Sequence, residues 1–180
     1  MRIWVANSQR KRGRKMIILG IDPGIAIVGW GVLRYDGRSF VPLAYGSIQT
    51  KAGEKTEERL LQIHEALGQI LDKYRPDAMC VEELFWNTNQ KTGIIVSEAR
   101  GVILMTAHQR GVPISEYTPL QVKQSVVGYG RADKKQVITM VTSFLGLRQP
   151  PKPDDTADAL AIAICHGHST FSRIGQFYNQ

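Results

Sequence analysis

Three strand-like runs stand before the first helical periodicity in this chain, and that order limits the folds open to it more than any other feature. Met16-Ile-Ile-Leu-Gly-Ile-Asp22 is an unbroken apolar run ending on an acid, with Pro23 and Gly24 turning the chain out of it. A second run covers residues 25–35 and a third residues 39–49. Asp36-Gly37-Arg38 between them is a hairpin signal, because Asp-Gly takes up the positive φ of tight primed turns. Strands joined this tightly pair antiparallel.

Helical spacing then takes over. Over residues 55–74, Leu60, Ile63, Leu67, Ile70, Leu71 and Tyr74 recur at three and four, the stripe of an amphipathic helix that Pro76 stops. Residues 77–82 predict a fourth strand, 92–110 a second helix and 113–117 a short fifth strand. Thr118 as N-cap with Pro119 at the first helical position predicts a short helix to Val127, ended by Gly128-Tyr129-Gly130. A further helix is expected over 133–145, and the prolines at 150, 151 and 153 isolate a last one over 155–166. The order βββαβαβααα joins an antiparallel meander to crossover units, which implies an α/β fold with a mixed five-stranded sheet flanked by helices.

A chain of 180 residues suits one domain. Residues 16–168 are expected to form it, with 169–180 a weakly periodic C-terminal tail. The net charge of +7 suggests a nucleic-acid partner until its distribution is considered. Six of the 23 basic residues (Arg2, Arg10, Lys11, Arg12, Arg14 and Lys15) precede Met16, and without them 17 basic residues face 16 acidic ones. Residues 1–15 are therefore read as a basic leader or tag without fixed structure, outside the fold. The informative asymmetry is internal, since residues 85–152 carry nine Lys or Arg against Glu98, Glu116 and Asp133. Apolar runs are too short for a membrane span and no secretory h-region opens the chain, so a cytoplasmic protein is expected. Cys80 and Cys165 are too few for a disulfide framework.

Carboxylates gather where ligands bind in sheets of this kind. Asp22 ends the first strand, at the edge where α/β sheets place their sites. In the fourth strand, alternation puts Glu82 on one face with Cys80, and Glu83 on the other with Val81. Asp154-Asp155-Thr156-Ala157-Asp158 opens the last helix. Asp154 serves as a cap, whereas Asp155 and Asp158, three apart, share one helical face beside an apolar run. Four carboxylates from three elements are the usual means of holding two magnesium ions about 3.5–4 Å apart for phosphodiester hydrolysis. Oxygen donors favour magnesium or manganese over zinc, and the Cys165-His166-Gly167-His168 group lacks the second cluster a structural zinc site needs.

Gly20-Ile-Asp22-Pro-Gly24, Val81-Glu82-Glu83-Leu-Phe85, the block from Tyr117 through Lys123 to Gly128-Tyr-Gly-Arg-Ala-Asp-Lys134, and Asp155-Thr-Ala-Asp158-Ala-Leu together resemble the four ordered blocks of the RuvC Holliday junction resolvases. The resemblance covers residues 16–168. It implies an RNase H-like fold, a homodimer, and a magnesium-dependent endonuclease that places paired symmetric nicks across a four-way DNA junction in recombination and repair. It places the catalytic, metal-holding carboxylates at Asp22, Glu82, Asp155 and Asp158, functional lysines at Lys123 and Lys134, and an aromatic for the junction centre at Phe85. RuvA and RuvB, the branch-migration proteins, are implied partners.

An ammonium near the scissile phosphate offsets charge that accumulates during attack, which suits both lysines. Arg131 and Lys135 are expected to contact phosphates and position DNA. Phe85 is suited to stack on an unpaired base, while Trp86 is divided evenly between that role and the core. Two other readings compete. An RNase H-like nuclease of other specificity shares the strand-end aspartate but not the lysine block with Phe85. A non-catalytic junction-binding module would have lost one of the four carboxylates, and none is lost here.

Overall fold

A computed structural model describes residues 15–83 and 90–171. The elements are β1 (Met16–Asp22), β2 (Ile27–Tyr35), β3 (Phe40–Gln49), α1 (Thr56–Tyr74), β4 (Ala78–Glu82), α2 (Gln90–Gln109), β5 (Ile114–Tyr117), α3 (Pro119–Val127), α4 (Lys134–Phe144) and α5 (Asp154–Phe171). They form one five-stranded sheet in the order β3-β2-β1-β4-β5. The first three strands pair antiparallel, while β4 and β5 run parallel to β1. The expected mixed sheet flanked by helices, with the connectivity of an RNase H-like fold, is the observed one.

Each face of the sheet has its own core. On one, Leu19, Ile21, Val28, Val32, Met79 and Val81 pack against Ile63, Leu67 and Leu71 of α1 and Ala99 and Ile103 of α2. On the other, Ile18, Leu33 and Cys80 meet α3, α4 and the apolar run of α5. Strand alternation sorts the side chains between the two, so Asp22 and Glu82 emerge on the α5 face.

Glycines let α5 lie unusually close to the sheet. Gly20 of β1 and Gly31 of β2 are directly paired, and Asp22 is paired with Gly29. A Cβ on Gly20 would run into the backbone of Ala159 and Ala163, and one on Gly29 into the carbonyl of Asp155. Thr156, fully buried, donates its hydroxyl to the Gly46 carbonyl at 3.1 Å and fixes the first turn of the helix. This seating holds Asp155 and Asp158 over the carboxyl ends of the strands.

Two expectations need correction. The last helix runs to Phe171, so residues 169–171 belong to it rather than to the tail. Its weakly periodic end is held by tertiary contacts: Gly167 lies against the Phe40 and Tyr35 rings, and His168 meets Phe40 and Phe144 edge-on. The Asp36-Gly37 connection is a four-residue loop, not a tight primed turn. Only Gly37 has positive φ, and the Asp36 carboxylate accepts from the amides of Arg38 and Ser39, each at 2.9 Å.

Candidate active site

The parallel ladder between β1 and β4 pairs Ile21 with Val81, so the next residues, Asp22 and Glu82, end adjacent strands abreast. Asp158 reaches the same place from the first turns of α5. Together with Lys123 of α3 and Lys134 of α4 they line a cleft of about 240 Å³, walled by Pro119, Val122, Val137 and Ile162. Glu83 is not part of it; its amide donates to the Tyr117 carbonyl at 2.9 Å, extending the β4–β5 ladder. Asp155 does not line the cleft, but its charge is felt there by both Asp22 and Asp158.

Electrostatics show what this arrangement demands. Burial, then the carboxylates of Asp158, Glu82 and Asp155, push Asp22 up to about 8, only partly opposed by Lys134. Burial and Asp158 raise Glu82 against the pull of Lys123 and Lys134. Asp158 is raised by burial although Lys134 lies on it, Nζ to Oδ2 at 3.1 Å. Lys134 is itself lowered by burial but raised overall, through its hydrogen bond to Asp158 and the charges of Asp158, Asp154 and Asp155. Carboxylates this crowded ionise together only with added positive charge.

The all-oxygen donor set suits a hard divalent cation such as magnesium or manganese. Among the described residues, no three acidic, His or Cys side chains already close on a common point. Lys134 places a cation beside this donor set, 3.1 Å from Asp158 and 3.8 Å from Asp154. The histidines suggested by the Cys-His-Gly-His run are engaged in the fold. His166 Nδ1 pairs with the Tyr117 hydroxyl at 2.9 Å, and His168 Nδ1 lies 3.2 Å from the Ser125 hydroxyl.

The family model for the crossover junction endodeoxyribonuclease RuvC matches residues 18–166, a span that takes in every acidic and basic residue of the cleft. The chain belongs to the RuvC family. A RuvC from Alkaliphilus metalliredigens is 55% identical over 154 residues, covering 86% of this chain and 94% of that protein. The Thermus thermophilus RuvC structure superposes with a TM-score of 0.79 at 38% identity, covering 89% of this chain and 97% of its own. The T. thermophilus RuvC in complex with Holliday junction substrate gives 0.80 at 35% identity, covering 87% and 97%. Family membership makes the chain a DNA endonuclease of the crossover-junction class.

The remaining expected residues of this RuvC-family chain are placed unevenly. Arg131 and Lys135 are exposed on the α3–α4 shoulder outside the cleft, with Lys135 lining a neighbouring hollow. Phe85 and Trp86 lie outside the described residues. Two contributors were missed in the sequence. Asp154, read only as a cap, is within ion-pair range of Lys134, a contact no local spacing signals. Arg100 of α2 donates to the Glu82 carbonyl at 3.4 Å and pairs with Glu116 of β5, bracing the strand end that presents Glu82. An arginine between Ala99 and Gly101 in a largely apolar helix was the available clue.

Proposed function

We propose that this protein resolves four-way (Holliday) junctions in recombination and repair through paired symmetric nicks made by a homodimer. The observation that carries the reading is the meeting of Asp22, Glu82 and Asp158 with Lys123 and Lys134 in one cleft at the carboxyl edge of the sheet. Asp22, Glu82, Asp155 and Asp158 would hold two Mg²⁺ ions per subunit, with Mn²⁺ as a substitute. The metal pair, when bound, supplies Lewis acidity to the water nucleophile and to the leaving oxygen. Lys123 and Lys134 hold the scissile phosphate and offset the charge gathering on it. Val122, Val137 and Ile162 give the cleft apolar walls, a lower-polarity setting that would strengthen both effects.

Outside the cleft, Arg131 and Lys135 grip flanking phosphates, and Phe85 stacks at the junction centre. Ile94 and Met105 stand exposed on α2, about three turns apart and so on one stripe, which supports pairing of two copies through that helix. RuvA and RuvB are the proposed partners, in the cytoplasm; no helix among the described residues is long and apolar enough to cross a membrane. The test is a labelled mobile junction incubated with protein and Mg²⁺, with nicks mapped on all four strands. Symmetric nicks on two opposing strands are expected, and nicks without that symmetry would overturn the paired mechanism.

A further inference from the structure

Two large apolar side chains on the shoulder beside the cleft stand exposed among the described residues. Leu120 is 54% exposed and Tyr129 47% exposed. Leu120 follows Pro119 of the cleft wall and lies against Gly130, the residue after Tyr129, so the two form one shoulder. The loop carrying Tyr129 is anchored at both ends. Gly128 caps α3 with φ of 90° and donates its amide to the Gln124 carbonyl at 2.9 Å. On the other side Ala132 is buried, and Asp133 and Gln136 close a capping box on α4. An aromatic ring held in place at low entropic cost suits binding better than it suits a solvated loop.

The charge around the ring indicates the partner. Lys134 and Lys135 occupy the first turn of α4, which holds no acidic residue, so two cations stand against the positive end of the helix dipole. Asp133 caps that end and Lys134 is met by Asp158 and Asp154, which leaves the exposed Lys135 as the cation of the turn open to a phosphate. Lys134 faces the cleft, whereas Lys135 and Tyr129 line a hollow of about 350 Å³ on the other side of the same helical turn. A strand with its scissile phosphate at Lys134 would bring the adjacent phosphate to Lys135 and Arg131. The nucleoside between them would then meet the Tyr129 ring.

We propose that Tyr129, supported by Leu120, is a platform for the nucleoside next to the cut phosphodiester, and so a determinant of which base sequence is cut. This rests on the junction-cleaving function proposed above. Stacking of one base on an aromatic ring is worth about 1–3 kcal/mol, roughly 5- to 150-fold. The test compares wild type, Tyr129→Phe and Tyr129→Ala on junctions that differ only in the bases flanking the cut. Tyr129→Ala is expected to lower kcat/KM about tenfold on preferred junctions and to flatten the base preference. Tyr129→Phe should keep both, and the salt dependence of binding should be unchanged in either variant because no charge is lost.

A fluorescent base analogue placed beside the cut and read in chelator gives an independent signal. Wild type and Tyr129→Phe should quench it, and Tyr129→Ala should not. Unchanged preference and quenching in Tyr129→Ala would overturn the platform. A Tyr129→Phe variant as poor as Tyr129→Ala would overturn it too, by assigning the effect to the hydroxyl. So would an equal loss on every sequence with a lowered melting temperature, which would make Tyr129 a folding residue. If wild type cuts no junction, the functional reading fails and the claim on cut preference falls with it, while quenching lost only in Tyr129→Ala would still make Tyr129 a base-stacking residue.

Discussion

At the scale of single residues, Asp22 exposes a conflict between folding and function. Burial first, and then the charges of Asp158, Glu82 and Asp155, push its carboxyl up to about 8. Asp22→Asn removes the repulsion and keeps the side-chain shape. In chelator at pH 7.5 the variant should be more stable than wild type by roughly 1–3 kcal/mol, a rise of about 2–12 °C in melting temperature for a chain of this size. It should bind junctions yet fail to nick them, and Mg²⁺ should raise the melting temperature of wild type but barely that of the variant. A less stable variant, or one that nicks normally in Mg²⁺, would count against the site. His166 gives a separate pH effect. Burial holds its pKa below the ordinary 6.5, so above pH 6.5 it is neutral in both states and contributes no slope. As pH falls below 6.5 the unfolded chain takes up the proton first, and stability drops by up to about 1.4 kcal/mol per pH unit until the folded state titrates. Over pH 7.5 to 5 Asp22, raised to about 8, gains stability on acidification and opposes this loss. Urea denaturation should therefore show His166→Gln gaining more stability than wild type as pH falls to 5.

At the scale of elements, what the sequence made legible depended on whether local periodicity or remote packing decides the outcome. The choice of Glu82 over Glu83 was readable because the β1–β4 ladder runs without a bulge from Ile18 opposite Ala78 to Ile21 opposite Val81, so simple alternation holds. The end of α5 was not readable. His166, Gly167, His168 and Thr170 make no helical stripe, and rings from β2, β3 and α4 keep that segment helical. Nor did any pattern mark Gly20, Gly29 and Gly31 as the bed of α5, since a glycine in a strand says nothing of what approaches it. Gly20→Ala tests that bed. The added methyl meets backbone of Ala159 and Ala163, which cannot rotate away, so a loss of about 1–3 kcal/mol is expected, seen as a fall of roughly 2–12 °C in melting temperature. Cleavage should fall further than stability explains, because lifting α5 carries Asp155 and Asp158 off the strand ends, and a shift near 1 Å can cost about 100-fold. A melting temperature within 1 °C of wild type, by calorimetry at roughly that precision, would show that the helix is not seated there.

At the scale of the whole molecule, the cleft lies at one edge of the sheet while the exposed stripe of α2 lies across the opposite face, so the proposed pairing would leave the cleft open. Arg100 links them. It sits on α2, donates to the Glu82 carbonyl and pairs with Glu116, so a pairing through that helix would bear on the strand end holding Glu82. Ile94 and Met105 are about half exposed on α2 and line no part of the cleft, which makes them the positions where the proposed pairing can be broken at least cost to the subunit. Placing a charge in a paired apolar stripe leaves it buried without a partner, at a cost of several kcal/mol per subunit pair. The double variant Ile94→Glu with Met105→Glu should therefore sediment as a monomer at concentrations where wild type is a dimer, with its melting temperature little changed. Its nicks on a mobile junction should become single and uncoordinated, because each subunit keeps Asp22, Glu82, Asp155 and Asp158 but no longer brings a second set to the opposing strand. A variant that remains dimeric, or that still makes simultaneous paired nicks as a monomer, would remove α2 from the dimer and leave the pairing of cuts to another surface.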